Sequence, residues 1–141
     1  MSTVYWDDML FAYLIERHPD YGLRVERILG GMRSRKDMLC TSIFTVGEVL
    51  TKPYRDDDQD MIGWVHETLS PPSVELLPFN LETADRYARI RAASRVSPPD
   101  AIHLATAAQR GVNLFLTHDR DLRKLIIPGI DFIAGLDVNL F

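Results

Sequence analysis

Four acidic residues stand where an acid is a costly choice for the fold: Asp7, Glu48, Asp100 and Asp119. Asp7 falls between Val4-Tyr-Trp6 and Met9-Leu-Phe-Ala-Tyr-Leu-Ile15, and Glu48 lies inside Ile43-Phe-Thr-Val-Gly-Glu-Val-Leu50. Asp100 opens Ala101-Ile-His-Leu-Ala-Thr-Ala-Ala108, and Asp119 closes Leu114-Phe-Leu-Thr-His-Asp. Carboxylates are seldom taken out of water unless they are paired or bind a metal. An all-oxygen donor set suits a hard divalent cation such as Mg2+ or Mn2+, which uses few carboxylates and keeps several waters. Two such ions about 4 Å apart can clamp both oxygens of an in-line phosphoryl displacement. Taken singly, each acid has a plainer explanation as a helix cap or a solvated side chain, because helix N-termini favour negative charge. The conjunction of four, far apart in sequence, points to one metal site assembled by the fold.

The elements that must position these acids alternate. Residues 4–6 read as a strand, and 8–17 as a helix ended near His18-Pro19. Tyr21, Val25, Ile28, Leu29 and Met32 recur at helical spacing, giving an amphipathic helix stopped near Gly30-Gly31 or just after. Residues 37–41 form a second strand; Ser42 caps a helix to about Thr51, where Pro53 ends it. A polar-faced helix over 56–69 stops at Pro71-Pro72, and 74–77 is a third strand. Asn80 caps a helix to about Ser94, and Ser97-Pro-Pro-Asp leads into another over 100–110, ended by Gly111. A fourth strand at 114–117, a short helix around 120–125 and a fifth strand at 130–133 complete the pattern. Strands separated by helices predict an α/β fold with a central, mostly parallel sheet of about five strands. In open sheets of this kind, sites form beyond the carboxyl ends of the strands. Asp7 follows the first strand and Asp119 the fourth, so both face the same sheet edge; Glu48 lies one to two turns into the helix after the second strand.

Composition narrows the class. The 141 residues fit one domain spanning 1–141, with 46% hydrophobic and 26% charged residues, ordinary values for a globular chain. A net charge of −4 excludes the global basic signature of most nucleic-acid binders. A nucleic-acid substrate therefore requires a local basic patch or metal ions to offset phosphate charge. The single cysteine, Cys40, cannot form an intramolecular disulfide and reads as a buried thiol. There is no basic, apolar leader, and the longest uncharged apolar run, 9–15, is too short for a bilayer. A cytoplasmic protein without a membrane partner is expected.

Four segments, in order and at ordinary spacing, carry a resemblance over nearly the whole chain. Val4-Tyr-Trp-Asp-Asp-Met-Leu-Phe-Ala-Tyr-Leu-Ile15 resembles the opening of PIN-domain ribonucleases of the VapC toxin type, and Thr41-Ser-Ile-Phe-Thr-Val-Gly-Glu-Val-Leu50 resembles their second motif. Ser97-Pro-Pro-Asp-Ala-Ile-His-Leu-Ala-Thr106 resembles the third closely, and Leu116-Thr-His-Asp-Arg-Asp-Leu122 the fourth. The resemblance implies a PIN-like three-layer α/β/α domain and a Mg2+- or Mn2+-dependent endoribonuclease, the toxin of a toxin–antitoxin pair. It implies Asp7, Glu48, Asp100 and Asp119 as metal ligands with the Thr117 hydroxyl nearby, homodimers, and a small antitoxin partner whose arginine often enters the acidic pocket. One place departs from the pattern: the family usually has Thr or Ser and then Asn after the first Asp, where this chain has Asp8 and Met9. Asp8 reads first as a helix-starting acid, with a further carboxylate for the site as the alternative.

The remaining candidates have plainer readings. His103, three residues after Asp100 on one helix, reads as a structural histidine, with a place behind the metal ligands as the alternative. His118 adjoins Asp119 as in HD-type hydrolases, but the further ligands such enzymes need are missing. Asp121 reads as a capping or surface acid, behind the site at most. Arginine-rich stretches at 33–36, 86–95 and 120–124 read as solvated faces, the last being close enough to the site to hold an RNA backbone. No nucleophilic triad and no glycine-rich phosphate loop is present. A degenerate PIN-like module that binds RNA or protein without cleaving is the alternative function, and a phosphatase or DNase using the same acids a lesser one.

Overall fold

Adjacent residues of the first strand, β1 (Thr3–Trp6), serve two different cores. Strand side chains alternate between faces, so Val4 and Trp6 join one apolar cluster and Tyr5 the other. This computed structural model describes residues 1–139. The other strands are β2 (Met38–Ser42), β3 (Glu75–Leu77), β4 (Val112–Leu116) and β5 (Ile130–Ala134), and all five pair in parallel in the order β3-β2-β1-β4-β5. Six helices cover the sheet: α1 (Asp8–Ile15), α2 (Gly22–Arg35), α3 (Ile43–Arg55), α4 (Gln59–Thr68), α5 (Leu81–Ala93) and α6 (Pro98–Arg110). On one face Leu10, Phe11, Val25, Ile28, Met32 and Val65 from α1, α2 and α4 pack against Val4, Trp6, Leu39, Leu114 and Leu116. On the other, Ile90, Ala101, Leu104 and Ala105 from α5 and α6 meet Tyr5, Cys40 and Phe115. Each fully buried large apolar side chain contributes roughly 1.5–3 kcal/mol. The result is a three-layer α/β/α fold, with a sheet that is wholly rather than mostly parallel. Cys40 is buried on the α6 side, and its thiol is pushed up to about 12, chiefly by burial. No helix among the described residues is long and apolar enough to cross a membrane.

The strand order reverses beside β1. The chain lays β2 and β3 on one side of it, then returns to place β4 and β5 on the other. Such a switch point opens a crevice beyond the strand ends, because successive crossovers leave to opposite sides. Trp6 pairs with Leu116, and the Asp7 amide donates to the Leu116 carbonyl at 3.4 Å. Asp7 and Thr117 therefore leave the sheet side by side at the mouth of the crevice.

Two stops expected from sequence are not stops. α2 runs through Gly30-Gly31 to Arg35 and ends with Lys36 in the left-handed region, φ 59°. The buried Ile28 and Met32 bracket the glycines and hold the helix across them. Pro53 lies inside α3, which continues to Arg55. A proline nitrogen cannot donate to the carbonyl four residues back, so only Val49 loses a partner there. The Pro53 ring is itself buried, and its carbonyl accepts from the Asp58 amide at 2.9 Å. The segment 56–58 is consequently outside α4, which starts at Gln59 behind an Asp58 cap. The short helix expected over 120–125 is a 3-10 turn at Leu122–Lys124.

Candidate functional site

Each acid reaches the crevice by a different local device. Asp7 follows β1 and caps α1, its Oδ1 accepting from the Met9 amide at 3.1 Å. Asp8 is the first residue of α1, half-buried, and its side chain leans toward α3 and α6 rather than outward. Glu48 stands on α3, which Ser42 starts by accepting from the Phe44 amide at 2.9 Å. Asp100 sits in the first turn of α6, behind Pro98 and Pro99, whose missing amide hydrogens cost nothing at a helix start. The Ser97 hydroxyl accepts from the Asp100 amide at 3.3 Å. Asp119 lies on the loop after β4, exposed, its amide donating to Thr117 Oγ1 at 3.1 Å and its Oδ1 accepting from the Asp121 amide at 2.8 Å.

These groups feel one another. Burial pushes Asp7 up from the ordinary carboxyl value to about 6; the Thr117 hydroxyl opposes the rise and the Asp8 charge adds to it. Asp8 is raised by burial and then by Glu48, and Asp100 by burial and then by Asp119, with Glu48 a smaller contributor. Asp100 and Asp119 also line one hollow of about 300 Å3 together with Arg95 and Ser97. Two carboxylates about 5 Å apart repel by roughly 3 kcal/mol at an effective dielectric near 20. Charge coupling thus runs from Asp7 through Asp8 and Glu48 to Asp100 and Asp119, while Asp8 and Glu48 line one hollow and Asp100 and Asp119 another. Asp121 is exposed and makes no side-chain cap, but it lines that second hollow beside Asp100 and Asp119, and its amide is the one bonded to Asp119. The residue that caps this loop is Asp119 itself.

Two residues are more central than their sequence suggested. Asp8 does start α1, but it also faces the site: its Oδ1 lies 3.8 Å from His103 Nε2. His103 is structural in the sense of being fully buried, yet its Nε2 meets Glu48 Oε1 at 2.6 Å and its Nδ1 meets the Tyr5 hydroxyl at 2.7 Å. Burial drags the His103 pKa down, but the hydrogen bond and charge of Glu48, with Asp7 and Asp8 behind them, outweigh it, and the net shift is upward. Ligand atoms of Asp8, Glu48 and His103 all lie within 4.8 Å of one another. The available signal for His103 was a polar residue inside the apolar run 101–108, on the face that α6 must bury. Tyr5 offered less, being one aromatic among apolar strand residues. His118 is held elsewhere, by the Tyr13 hydroxyl at 2.7 Å and the edge of Tyr21.

The donor set fits a hard divalent cation. It is oxygen-rich, burial and neighbouring charge disfavour the ionised forms of Asp7, Asp8 and Asp100, and Asp8, Glu48 and Asp100 remain partly open to solvent. A cation would favour the ionised forms of Asp7, Asp8 and Asp100, which burial first and neighbouring carboxylates second oppose.

The model of the PIN domain family matches residues 5–127, and the chain belongs to that family. Its fold is similar to that of VapBC2 from Rickettsia felis bound to a promoter DNA fragment, with a TM-score of 0.75, 14% identity, and coverage of 94% of this chain and 98% of that one. DNA-bound VapBC from Salmonella typhimurium gives a TM-score of 0.68 at 21% identity, covering 96% and 99%. VapC20 of Mycobacterium tuberculosis, described as a sarcin-ricin loop cleaving toxin, gives 0.67 at 16% identity, covering 84% and 91%. Among curated proteins no match to this chain was found.

Proposed function

We propose that this protein is a Mg2+- or Mn2+-dependent endoribonuclease, the toxin of a type II toxin–antitoxin pair, acting in the cytoplasm. The observation that supports this reading best is the coupled acidic crevice at the strand switch point of a PIN-family fold. Asp7, Glu48, Asp100 and Asp119 would hold the cation. When bound, the cation supplies a water of lowered pKa and neutralises charge on the scissile phosphate. The chain's own part is to aim the acids and to place the Thr117 hydroxyl between Asp7 and Asp119. The exposed Arg120, next to Asp119 in the chain, and the exposed Lys124 on the turn that follows suit phosphate contacts along an RNA backbone. A small antitoxin partner accompanies this reading, by analogy with the VapBC complexes that share the fold, and a homodimer is expected from the resemblance alone.

Asp100→Asn tests the assignment. It should abolish EDTA-sensitive RNA cleavage while raising the stability of the metal-free protein, because it removes a charge that burial and Asp119 disfavour. Cleavage by this variant at the parent's rate would sink the reading. One observation favours a non-catalytic module instead: the exposed Met9 cannot order the acids as a polar side chain would. Parallel assays on RNA, DNA and a phosphomonoester separate the enzymatic possibilities, and a failure on all three with metal present favours the binding module.

A further inference from the structure

Glu48 and His103 come from different helices, α3 and α6, and meet beneath the crevice. The proton positions in this contact follow from the chemistry of its members. An ionised carboxylate only accepts, so His103 Nε2 must carry a hydrogen to sit 2.6 Å from Glu48 Oε1. In the neutral ring Nδ1 is then an acceptor, and the hydroxyl 2.7 Å away, that of Tyr5, supplies the donor. Thr45 Oγ1, at 3.4 Å, is the more distant neighbour. A chain of hydrogen bonds therefore runs from the centre of the sheet outward, through Tyr5, His103 and Glu48, with His103 Nε2 the donor to Glu48 in either charge state of the ring. Both inner members are fully buried, with Tyr5 stacked on Phe115 at 5.0 Å and His103 against the edge of Phe44 at 5.7 Å.

We propose that His103, held by Tyr5, is a positioning residue for the metal-binding carboxylates. It commits Glu48 Oε1 and leaves Oε2, which carries no hydrogen bond among the described residues, for a cation. The same N–H faces Asp8 Oδ1 at 3.8 Å, so one buried donor sits between the two carboxylates that would repel each other most directly. This gives the departure at Asp8 a physical setting: the extra negative charge stands beside a fixed donor rather than beside another acid alone. The competing geometry, His103 Nε2 ligating the cation itself, requires that nitrogen to give up its proton and the 2.6 Å contact with it. Imidazole is also the weaker donor for a hard cation. The inference rests on the metal reading of the site given above.

Calorimetric titration of Mn2+ into the parent, His103→Leu, His103→Gln and Tyr5→Phe tests it, with a thermal melt in EDTA for each. Outer hydrogen bonds to metal ligands typically govern affinity by about 10- to 100-fold. His103→Leu should weaken Mn2+ binding by at least about tenfold. His103→Gln, which keeps an amide N–H able to reach Glu48, should recover part of the loss, and Tyr5→Phe should show a smaller loss in the same direction. Electron spin echo spectra of bound Mn2+ should lack nitrogen coupling from an imidazole. A folded His103→Leu that binds Mn2+ as tightly as the parent overturns the proposal, and so does nitrogen coupling that disappears in that variant. If the leucine variant does not fold, Tyr5→Phe decides: unchanged affinity there overturns it. A parent that binds no Mn2+ removes the metal reading and this inference together, whereas a binding parent with indifferent variants removes the inference alone.

Discussion

Asp7 shows how a single side chain reconciles structure with chemistry. Its carboxylate caps α1, which favours the charged form, yet it is buried beside Asp8 at the mouth of a crevice, which opposes it. The outcome, a pKa raised to about 6, fixes the sign of a pH effect. A carboxyl raised above its unfolded value stabilises the fold most fully below the unfolded pKa, and that contribution is lost as pH climbs through the folded pKa. In EDTA, resistance to urea should therefore fall between about pH 4 and pH 6, by on the order of 3 kcal/mol from this group. The upward shifts of Asp8 and Asp100 act in the same direction. Asp7→Asn keeps an oxygen to accept from the Met9 amide and removes the charge, so its urea curves should depend much less on pH. A parent whose stability rises across that window would show the assignment of charge at Asp7 to be mistaken.

At the scale of elements, α2 holds its course across two glycines because its buried face outweighs their conformational freedom. Gly30 is exposed, and a Cβ built on it would meet nothing within 4 Å. Glycine in a helix interior costs roughly 0.8–1 kcal/mol against alanine. Gly30→Ala should accordingly stabilise the protein by about that amount in equilibrium denaturation, with RNA cleavage unchanged; a destabilised variant would mean that α2 is packed differently. Gly129 is the opposite case. Its φ is +102°, and a Cβ there would stand 2.4 Å from the Ala108 carbonyl oxygen, so the close approach of the β5 entry to the end of α6 depends on a bare Cα.

For the whole molecule, the proposed ligands come from the end of β1, α3, α6 and the loop after β4, so cation binding, on that reading, should report on the fold as a unit. A ligand present at a hundredfold its Kd stabilises a protein by about 2.7 kcal/mol. Millimolar Mn2+ should raise the Tm by several degrees, EDTA should reverse the rise, and Asp100→Asn should blunt it. An unchanged Tm for the parent at millimolar Mn2+ would favour the binding-module reading over the nuclease. Most of the architecture was legible beforehand, because period-2 and period-3.6 apolar patterns name strands and helices directly. The ends of α2 and α3 were not, since Gly30-Gly31 and Pro53 are local breakers overruled by burial of Ile28, Met32 and Pro53.

The candidate site divides in the same way. The four acids, the α/β class and the sheet edge shared by Asp7 and Asp119 follow from residue type and order, because a carboxylate beside an apolar run and a residue just past a strand are one-dimensional facts. Asp8, His103 and Tyr5 could not be joined on that basis. They lie on α1, α6 and β1, and the contacts that relate them to one another, 2.7 Å and 3.8 Å, and to Glu48, 2.6 Å, exist only after β1 and β4 pair and α3 and α6 close over the strand ends. Hydrogen bonds fall off within an ångström, and nothing in the spacing of three residues up to 98 positions apart encodes that distance. Tertiary structure alone decided that a histidine with an ordinary place in the core also stands behind Glu48.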